Sequence, residues 1–445
     1  MPPSDATLER LIAEQHDRPL PKVVRREVRV PGVPGKADVL IGMRRSGKTY
    51  TLFCEMQRLL DQGVPRSRIL YLNLEDDRLG DPDVHTLDRA LELFYRRDPE
   101  ARTAGAWLFL DEIQVVPGWE RFARRVLDTE SARLVVAGSS ARMLSTEVAT
   151  AFRGRGVTVE VLPYSVREAA LAGGLELSWS AWPPGAAARS RLDAHIVTYL
   201  QRGGFPGVWA LHPYDRLAVL QDYVDLVVLR DVAERHAAAN LPVLRELVAA
   251  LLSANTNGFS VSRLHGSLTS QGWKVGKATL LEYLGHLVDA FLVFLVPLRS
   301  RSVRQQAVNP RKVYAIDPGL AAAMYRGGAQ NRGAQLENAV YLELRRRFGR
   351  LSDGVIGWVK TSSGKEVDFA IDDPAGPLRL VQVCEQLSDP ATRQREIGAL
   401  TEAMGELGCG AATIVSLVDE EIVQTAAGEI RVVPAREWFF REDGG

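Results

Sequence analysis

The stretch GMRRSGKT, Gly42 to Thr49, has the spacing of a phosphate-binding loop: a glycine, four residues, a second glycine, a lysine and a hydroxyl. It follows the apolar run ADVLI, the buried strand that such a loop needs in front of it. Gly42 and Gly47 let the backbone curl so that successive N–H groups face one concavity, and the following helix turns its positive dipole end toward the same anion. Lys48 then reaches the terminal phosphates of a nucleotide, and the Thr49 hydroxyl is placed for Mg²⁺ between phosphate oxygens. The nucleotide-contacting set predicted from this loop is Gly42, Arg44, Arg45, Ser46, Gly47, Lys48, Thr49 and Tyr50.

A second stretch, WLFLDE from Trp107 to Glu112, ends four apolar residues in two carboxylates, which places both acids at the mouth of a buried parallel strand. Asp111 is the candidate holder of Mg²⁺. Glu112, one residue on, is the candidate base that polarises a water against the γ-phosphate; a kinase would need an acceptor pocket instead, and nothing marks one. The next apolar run, RLVVAGSS, carries Ser139 and Ser140 off its end, either as sensors of the γ-phosphate or as an ordinary helix cap. In AFRGRG, Arg153 and Arg155 stand in a glycine-loosened loop. Arg155, flanked by glycines, is the leading candidate for a cation on the transferring phosphate, in cis or from a neighbouring subunit; a solvated basic loop is the alternative.

The elements that must hold these residues follow from pattern. With 445 residues the chain is long enough for two to four domains. From Lys36 to Pro163 strand-length apolar runs alternate with helical patterns, which predicts βαβ units on a mostly parallel sheet. The predicted division is an N-terminal extension (1–36), a phosphate-loop ATPase core (37–165), a helical lid (166–240), a winged helix-turn-helix (241–298) and a C-terminal nuclease-like domain (299–445). Lys plus Arg equals Asp plus Glu, 55 each, so a nucleic-acid surface has to come from local clustering. Three cysteines in neither disulfide nor metal-ligand spacing point to a reducing compartment, and the absence of a signal-like or membrane-length apolar run predicts a soluble cytoplasmic protein.

Taken together, GMRRSGKT, YLNLEDD, WLFLDEIQVVPGWE, VVAGSSARML, FRGRG with VLPYSVREA, and GGFPGV resemble the prokaryotic AAA-like "ATP-binding proteins", in which an ATPase domain is fused to a C-terminal domain of unknown function. The resemblance runs from about Asp38 to Cys384 and takes in RDVAER, NPRKVYAIDPGL, LENAVYLEL, GKEVDF and VQVC. These proteins are kin to archaeal ATPases and STAND NTPases. The resemblance implies an α/β fold of AAA-like, ASCE type, with ATP and Mg²⁺ as cofactors, and it places Pro206 of GGFP in the lid near the adenine.

In the back half, Lys277 to Asp289 is the predicted recognition helix, flanked by Lys274 and by Arg299, Arg301, Arg304, Arg311 and Lys312 in the connector. DNA or another nucleic acid is one partner this allows; a protein partner and a homo-oligomer are others. Glu337, Asp368 and Gln382 fall in the order of a restriction-endonuclease-like metal site, but Gln382-Val383-Cys384 stands where Glu-x-Lys belongs. The expectation is a degenerate, non-cleaving domain under an ATP-hydrolysing switch or motor. The competing readings are an ATP-controlled nuclease and a STAND-like scaffold with little turnover.

Overall fold

The computed structural model describes residues 2–138, 152, 154–177, 182–236, 240–300, 302, 309–324, 331–348 and 352–441. The chain divides into two compact units, Met1–Leu162 and Pro163–Gly445.

In the first unit, α1 (Asp5–Asp17) is N-capped by the Ser4 hydroxyl, which accepts from the Thr7 N–H, and it buries Leu8, Leu11 and Ile12. Five strands and three main helices follow in alternation. They are β1 (Ala37–Ile41), α2 (Lys48–Asp61), β2 (Ile69–Asn73), α3 (Val84–Arg97), β3 (Ala106–Asp111), α4 (Trp119–Thr129), β4 (Ala132–Ala137) and β5 (Gly156–Glu160). The strands pair in parallel in the order β2-β3-β4-β1-β5, so β4 separates the strand that feeds the phosphate loop from the strand that ends in Asp111. β1 is buried along its whole length, which is why ADVLI reads as a continuous apolar run with one acid, Asp38. Burial pushes the Asp38 carboxyl up to about 6, partly offset by the Gly32 N–H that it accepts.

The N-terminal extension belongs to this unit. Arg78 bridges to Glu14 at 2.7 Å, Arg89 pairs with Asp5, and the His16 ring meets the Ile69 carbonyl at 3.0 Å. Between α1 and β1, the Arg26 guanidinium donates to the Ser46 carbonyl at 3.2 Å and to the Leu162 carbonyl at 2.6 Å.

The second unit opens with helices α5 (Val166–Ala172), α6 (Ala186–Arg202) and α7 (Pro213–Leu226), the last running on into a π-helical stretch, Val227–Ala233. Next come α8 (Leu241–Ser253), β6 (Gly258–Phe259), α9 (Val261–Ser270), α10 (Lys277–Asp289), β7 (Val293–Val296) and β8 (Arg311–Ala315). The three strands form an antiparallel sheet in the order β6-β8-β7. After α11 (Pro318–Met324) and α12 (Arg332–Phe348) a six-stranded mixed sheet is built from β9 (Ile356–Lys360), β10 (Glu366–Ile371), β11 (Arg379–Val383), α13 (Pro390–Leu407), β12 (Ala411–Ser416), β13 (Glu421–Thr425) and β14 (Gly428–Pro434). Its order is β13-β14-β12-β11-β10-β9. One face of this sheet buries Leu400, Ala403 and Met404 of α13 with Leu380, Ile414 and Val432.

The GGFP turn is a packing seam of this unit. A Cβ on Gly204 would lie 2.2 Å from the Tyr164 carbonyl oxygen, and the fully buried Asp317 accepts from the Gly204 N–H and, at 2.8 Å, from the Leu320 N–H at the start of α11. Burial pushes the Asp317 carboxyl up to about 6 against these amide bonds. Among the described residues no helix is long and apolar enough to cross a membrane.

Candidate functional site

The phosphate loop joins β1 to α2. Gly42 sits at φ +151° with the position of a Cβ only 2.2 Å from the Val161 carbonyl oxygen, so no side chain fits there without moving β5's exit. Gly47 at φ 102° turns the chain into α2, and Arg45 adopts a left-handed φ of 67°, a conformation that costs a non-glycine residue about 1 kcal/mol. The ammonium of Lys48, 6% exposed, is held by the carbonyls of Gly42 and Met43 at 3.0 and 3.1 Å. The Ser46 hydroxyl is buried with no hydrogen-bond partner among the described residues. A buried hydroxyl inside a loop of inward-turned amides fits an anionic ligand, which would satisfy it. Arg44 is half-buried, while Arg45 and Tyr50 are exposed, Tyr50 resting edge-on against Phe53.

Across from the loop, the end of β3 brings Asp111 close enough to the Thr49 hydroxyl for the two to interact. The Tyr71 hydroxyl donates to Asp111 Oδ2 at 3.2 Å, and the Glu112 N–H donates to Oδ1 at 3.1 Å. Burial pushes Asp111 up to about 6; the Thr49 hydroxyl and the Lys48 charge pull the other way. Glu112 stands at φ 51°, a strained left-handed position that turns its side chain off the strand axis, and Gln114 donates to its carboxylate at 2.5 Å. Glu75, just past β2, is close enough to Glu112, Arg44 and Lys48 to feel their charges, and burial raises its pKa.

The structure thus brings together Gly42, Ser46, Gly47, Lys48, Thr49, Asp111 and Glu112. Ser139, Ser140 and Arg153 lie outside the described residues. Arg155 corrects an expectation. It precedes β5 at the edge where β1 begins, its carbonyl accepting from the Ala37 N–H at 2.8 Å and its guanidinium paired with Asp128. The loop lies at the other end of the five-residue β1, about 16 Å away at the rise of a strand, so Arg155 does not serve its own chain's loop as a finger. Pro206 begins a short turn, Pro206–Val208, in the second unit, and its place near the adenine rests on the family resemblance alone. Arg26, Tyr71, Glu75 and Gln114 were not found by motif. Only YLNLEDD and DEIQ, quoted as family signatures, carried a trace of three of them.

In the second unit, Glu337 of α12, Asp368 of β10 and Gln382 of β11 come together beside a cleft of about 820 Å³. Gln382 accepts the Asp368 N–H at 3.0 Å and donates to Glu396 of α13 at 2.7 Å. The ammonium that the sequence motif lacks is present from elsewhere. Lys312 of β8, read above as a connector residue with a basic surface role, is 5% exposed and reaches Asp368 at 2.8 Å and Glu337 at 3.2 Å. Burial alone would lower its pKa, but the Asp368 and Glu337 charges hold it above the ordinary lysine value. Burial pushes the Cys384 thiol up to about 12, which keeps it neutral.

Comparison with known proteins bears on the domain that holds the first site. Residues 35–170 match the family model of an AAA domain. The first unit thus carries an AAA domain of the AAA-like, ATP-binding kind. A second family model, a domain of unknown function, matches residues 193–331. Among relatives of the whole chain, an uncharacterized protein of Methanocaldococcus jannaschii is 29% identical over 424 residues, covering 94% of this chain and 91% of its own length. An uncharacterized protein of Haemophilus influenzae is 27% identical over 352 residues, covering 79% and 83%. Among solved structures, a Walker-type ATPase of Pyrococcus abyssi matches with a TM-score of 0.41 at 13% identity, over 69% of this chain and 99% of that one. The Aeropyrum pernix ORC2 protein, solved as ADPNP and ADP complexes, gives 0.37 at 15% identity, over 73% and 94%.

Proposed function

We propose that the AAA domain binds Mg-ATP and hydrolyses it as a switch or motor, and that the second unit reads the nucleotide state and contacts nucleic acid without cutting it. The observation that carries the reading is the meeting of Asp111, at the end of β3, with Thr49 and Lys48 of the loop, close enough for both to act on its carboxylate, with Glu112 beside it in a strained backbone position. Thr49 and Asp111 are the residues that would hold Mg²⁺, and the ion supplies neutralisation of charge on the phosphate oxygens. Loop amides and the Ser46 hydroxyl bind the phosphates, and Lys48 exchanges its carbonyl partners for them. Glu112 takes the proton of the attacking water, with Gln114 orienting the carboxylate until it does so. A base at this position favours transfer to water over transfer to a bound hydroxyl.

For the second unit we propose residues 166–240 as helical lid, 241–298 as winged helix and 299–445 as endonuclease-like domain. The order helix, strand, helix, helix, strand over α8 to β7, with β8 of the following segment completing the sheet β6-β8-β7, supports the winged helix. Helix α12 ahead of the β9-β10-β11 meander, with β11 and β12 parallel, supports the third assignment. Arg263, Lys274 and Lys277 are exposed on the winged-helix module, and Arg311 on the β8 strand paired with β6 and β7; together they supply the cations for phosphate contacts. The test is ATP turnover against duplex DNA concentration, with strand scission followed on the same samples. Turnover that rises with DNA at low salt, with no scission, is expected. Turnover indifferent to nucleic acid removes the DNA partner, scission promotes the ATP-controlled nuclease, and stoichiometric ATP held without turnover promotes the scaffold.

A further inference from the structure

Glu337 and Asp368 sit where a nuclease-like fold would bind a divalent metal, yet every oxygen contact resolved there goes to a proton donor of the chain. Lys312 donates to Asp368 Oδ1 at 2.8 Å and to Glu337 Oε1 at 3.2 Å. The Tyr314 hydroxyl, two residues along the same strand, donates to that same Glu337 oxygen at 2.7 Å, and the Val383 N–H occupies Asp368 Oδ2 at 2.9 Å. Gln382, at the position of the third metal acid, is an amide tied to the Asp368 N–H and to Glu396. Glu396 is in turn paired with Arg395 at 2.5 Å. Among the described residues no group of three or more His, Cys, Asp and Glu side chains is arranged to hold a metal ion. The side chains of Lys312, Asp368 and Glu337 are 6%, 9% and 12% exposed, so water does little to screen their charges.

We propose that Lys312 is a built-in counterion that takes the charge position of a divalent metal between Glu337 and Asp368, and so keeps Mg²⁺ and Mn²⁺ out of the site. This deepens the reading of the C-terminal domain as non-cutting and rests on it. A metal that entered would strand a buried ammonium with no counter-charge, and it would have to break the Tyr314 and Val383 bonds to complete its coordination. The logic reverses when the ammonium goes. Two buried carboxylates without a cation are a site that a divalent ion satisfies.

The experiment is Mn²⁺ titration of the full chain without nucleotide, read by loss of the free-ion paramagnetic resonance signal. It compares wild type, Asp368→Asn, Lys312→Met, and Lys312→Met with Asp368→Asn. Lys312→Gln, which keeps donors toward both acids while losing the charge, stands in where Lys312→Met does not fold. Wild type and Asp368→Asn are expected to titrate alike, whereas Lys312→Met gains one site, at least about tenfold tighter than any in wild type, that disappears in the double variant. Melting that moves upward with Mn²⁺ only in Lys312→Met is the matching result. Mn²⁺ bound by wild type and lost in Asp368→Asn overturns the counterion, as does a folded Lys312→Met or Lys312→Gln that gains no site. Scission is scored separately on gels: metal bound by wild type without scission sinks the counterion alone, and metal-dependent scission lost in Asp368→Asn sinks the non-cutting reading with it.

Discussion

Each unit buries a lysine, and the two are held differently. At the phosphate loop the hydrogen bonds of Lys48 run to the main-chain carbonyls of Gly42 and Met43; in the C-terminal cleft those of Lys312 run to the carboxylates of Glu337 and Asp368. A carbonyl is a dipole and releases an ammonium to a phosphate with little left behind. A carboxylate that loses the same ammonium is left as a buried anion, at a cost of several kcal/mol. The first arrangement suits a site that trades partners with each ligand, and the second suits one that is permanently filled. Burial of a cation alone does not separate a binding site from a structural one; the charge of its partners does.

The widest separation is expected from removing each lysine in turn. Lys48→Ala should weaken ATP binding by about a hundredfold or more, because a charge-assisted contact to the terminal phosphates is lost, whereas Lys312→Met should leave it within about twofold. Equilibrium titration with a fluorescent ATP analogue reads both, and equal losses would erase the contrast. Asp317 extends the comparison to a buried anion held by main-chain amides. Its folded pKa, about 6, lies above the ordinary 3.8, so the folded state holds the proton more tightly and the associated stability is full below pH 4 and lost as pH rises through 6. Relative to Asp317→Asn, which does not titrate, wild type should lose about 2 kcal/mol between pH 4 and pH 7 in urea unfolding, the unfolded carboxyl having begun to ionise below pH 4. Parallel stability curves would show that the Gly204 and Leu320 amides hold the charged form as well as water does. A smaller effect is expected at the rim of the loop. Arg26→Ala frees the Ser46 and Leu162 carbonyls, and ATP affinity should fall about tenfold with kcat changed less. Unchanged affinity would reduce the N-terminal extension to a packing element.

Much of the first unit was legible in the sequence because its signals are local. ADVLI became β1 at both ends, and the loop and the two acids of WLFLDE meet because parallel strands bring their C-terminal ends to one edge of the sheet. Arg155 as a finger on its own chain's loop failed for the complementary reason. Its glycine-flanked loop was read for freedom, but freedom says nothing about which edge of the sheet the loop occupies, and the β1–β5 register puts it at the wrong one. In the second unit the order Glu337, Asp368, Gln382 was visible, and the missing lysine was taken from Gln382-Val383-Cys384 at face value. Lys312 was hidden because it comes from another sheet, 25 residues before Glu337, inside a run of arginines and lysines that reads as a solvated connector. Arg26 and Gln114 make contacts to a carbonyl and to a neighbouring carboxylate, which leave no spacing to detect.

The account rests most heavily on Glu112 as the base of an ATP-hydrolysing site. The direct measurement is paired ATP binding and single-turnover hydrolysis by Glu112→Gln and wild type in Mg²⁺. The amide keeps the size of the side chain and its contact to Gln114 but takes no proton, so the variant should bind ATP within about threefold of wild type and lose at least about a hundredfold in the hydrolysis rate. Hydrolysis at the wild-type rate in a variant that binds ATP normally would contradict it.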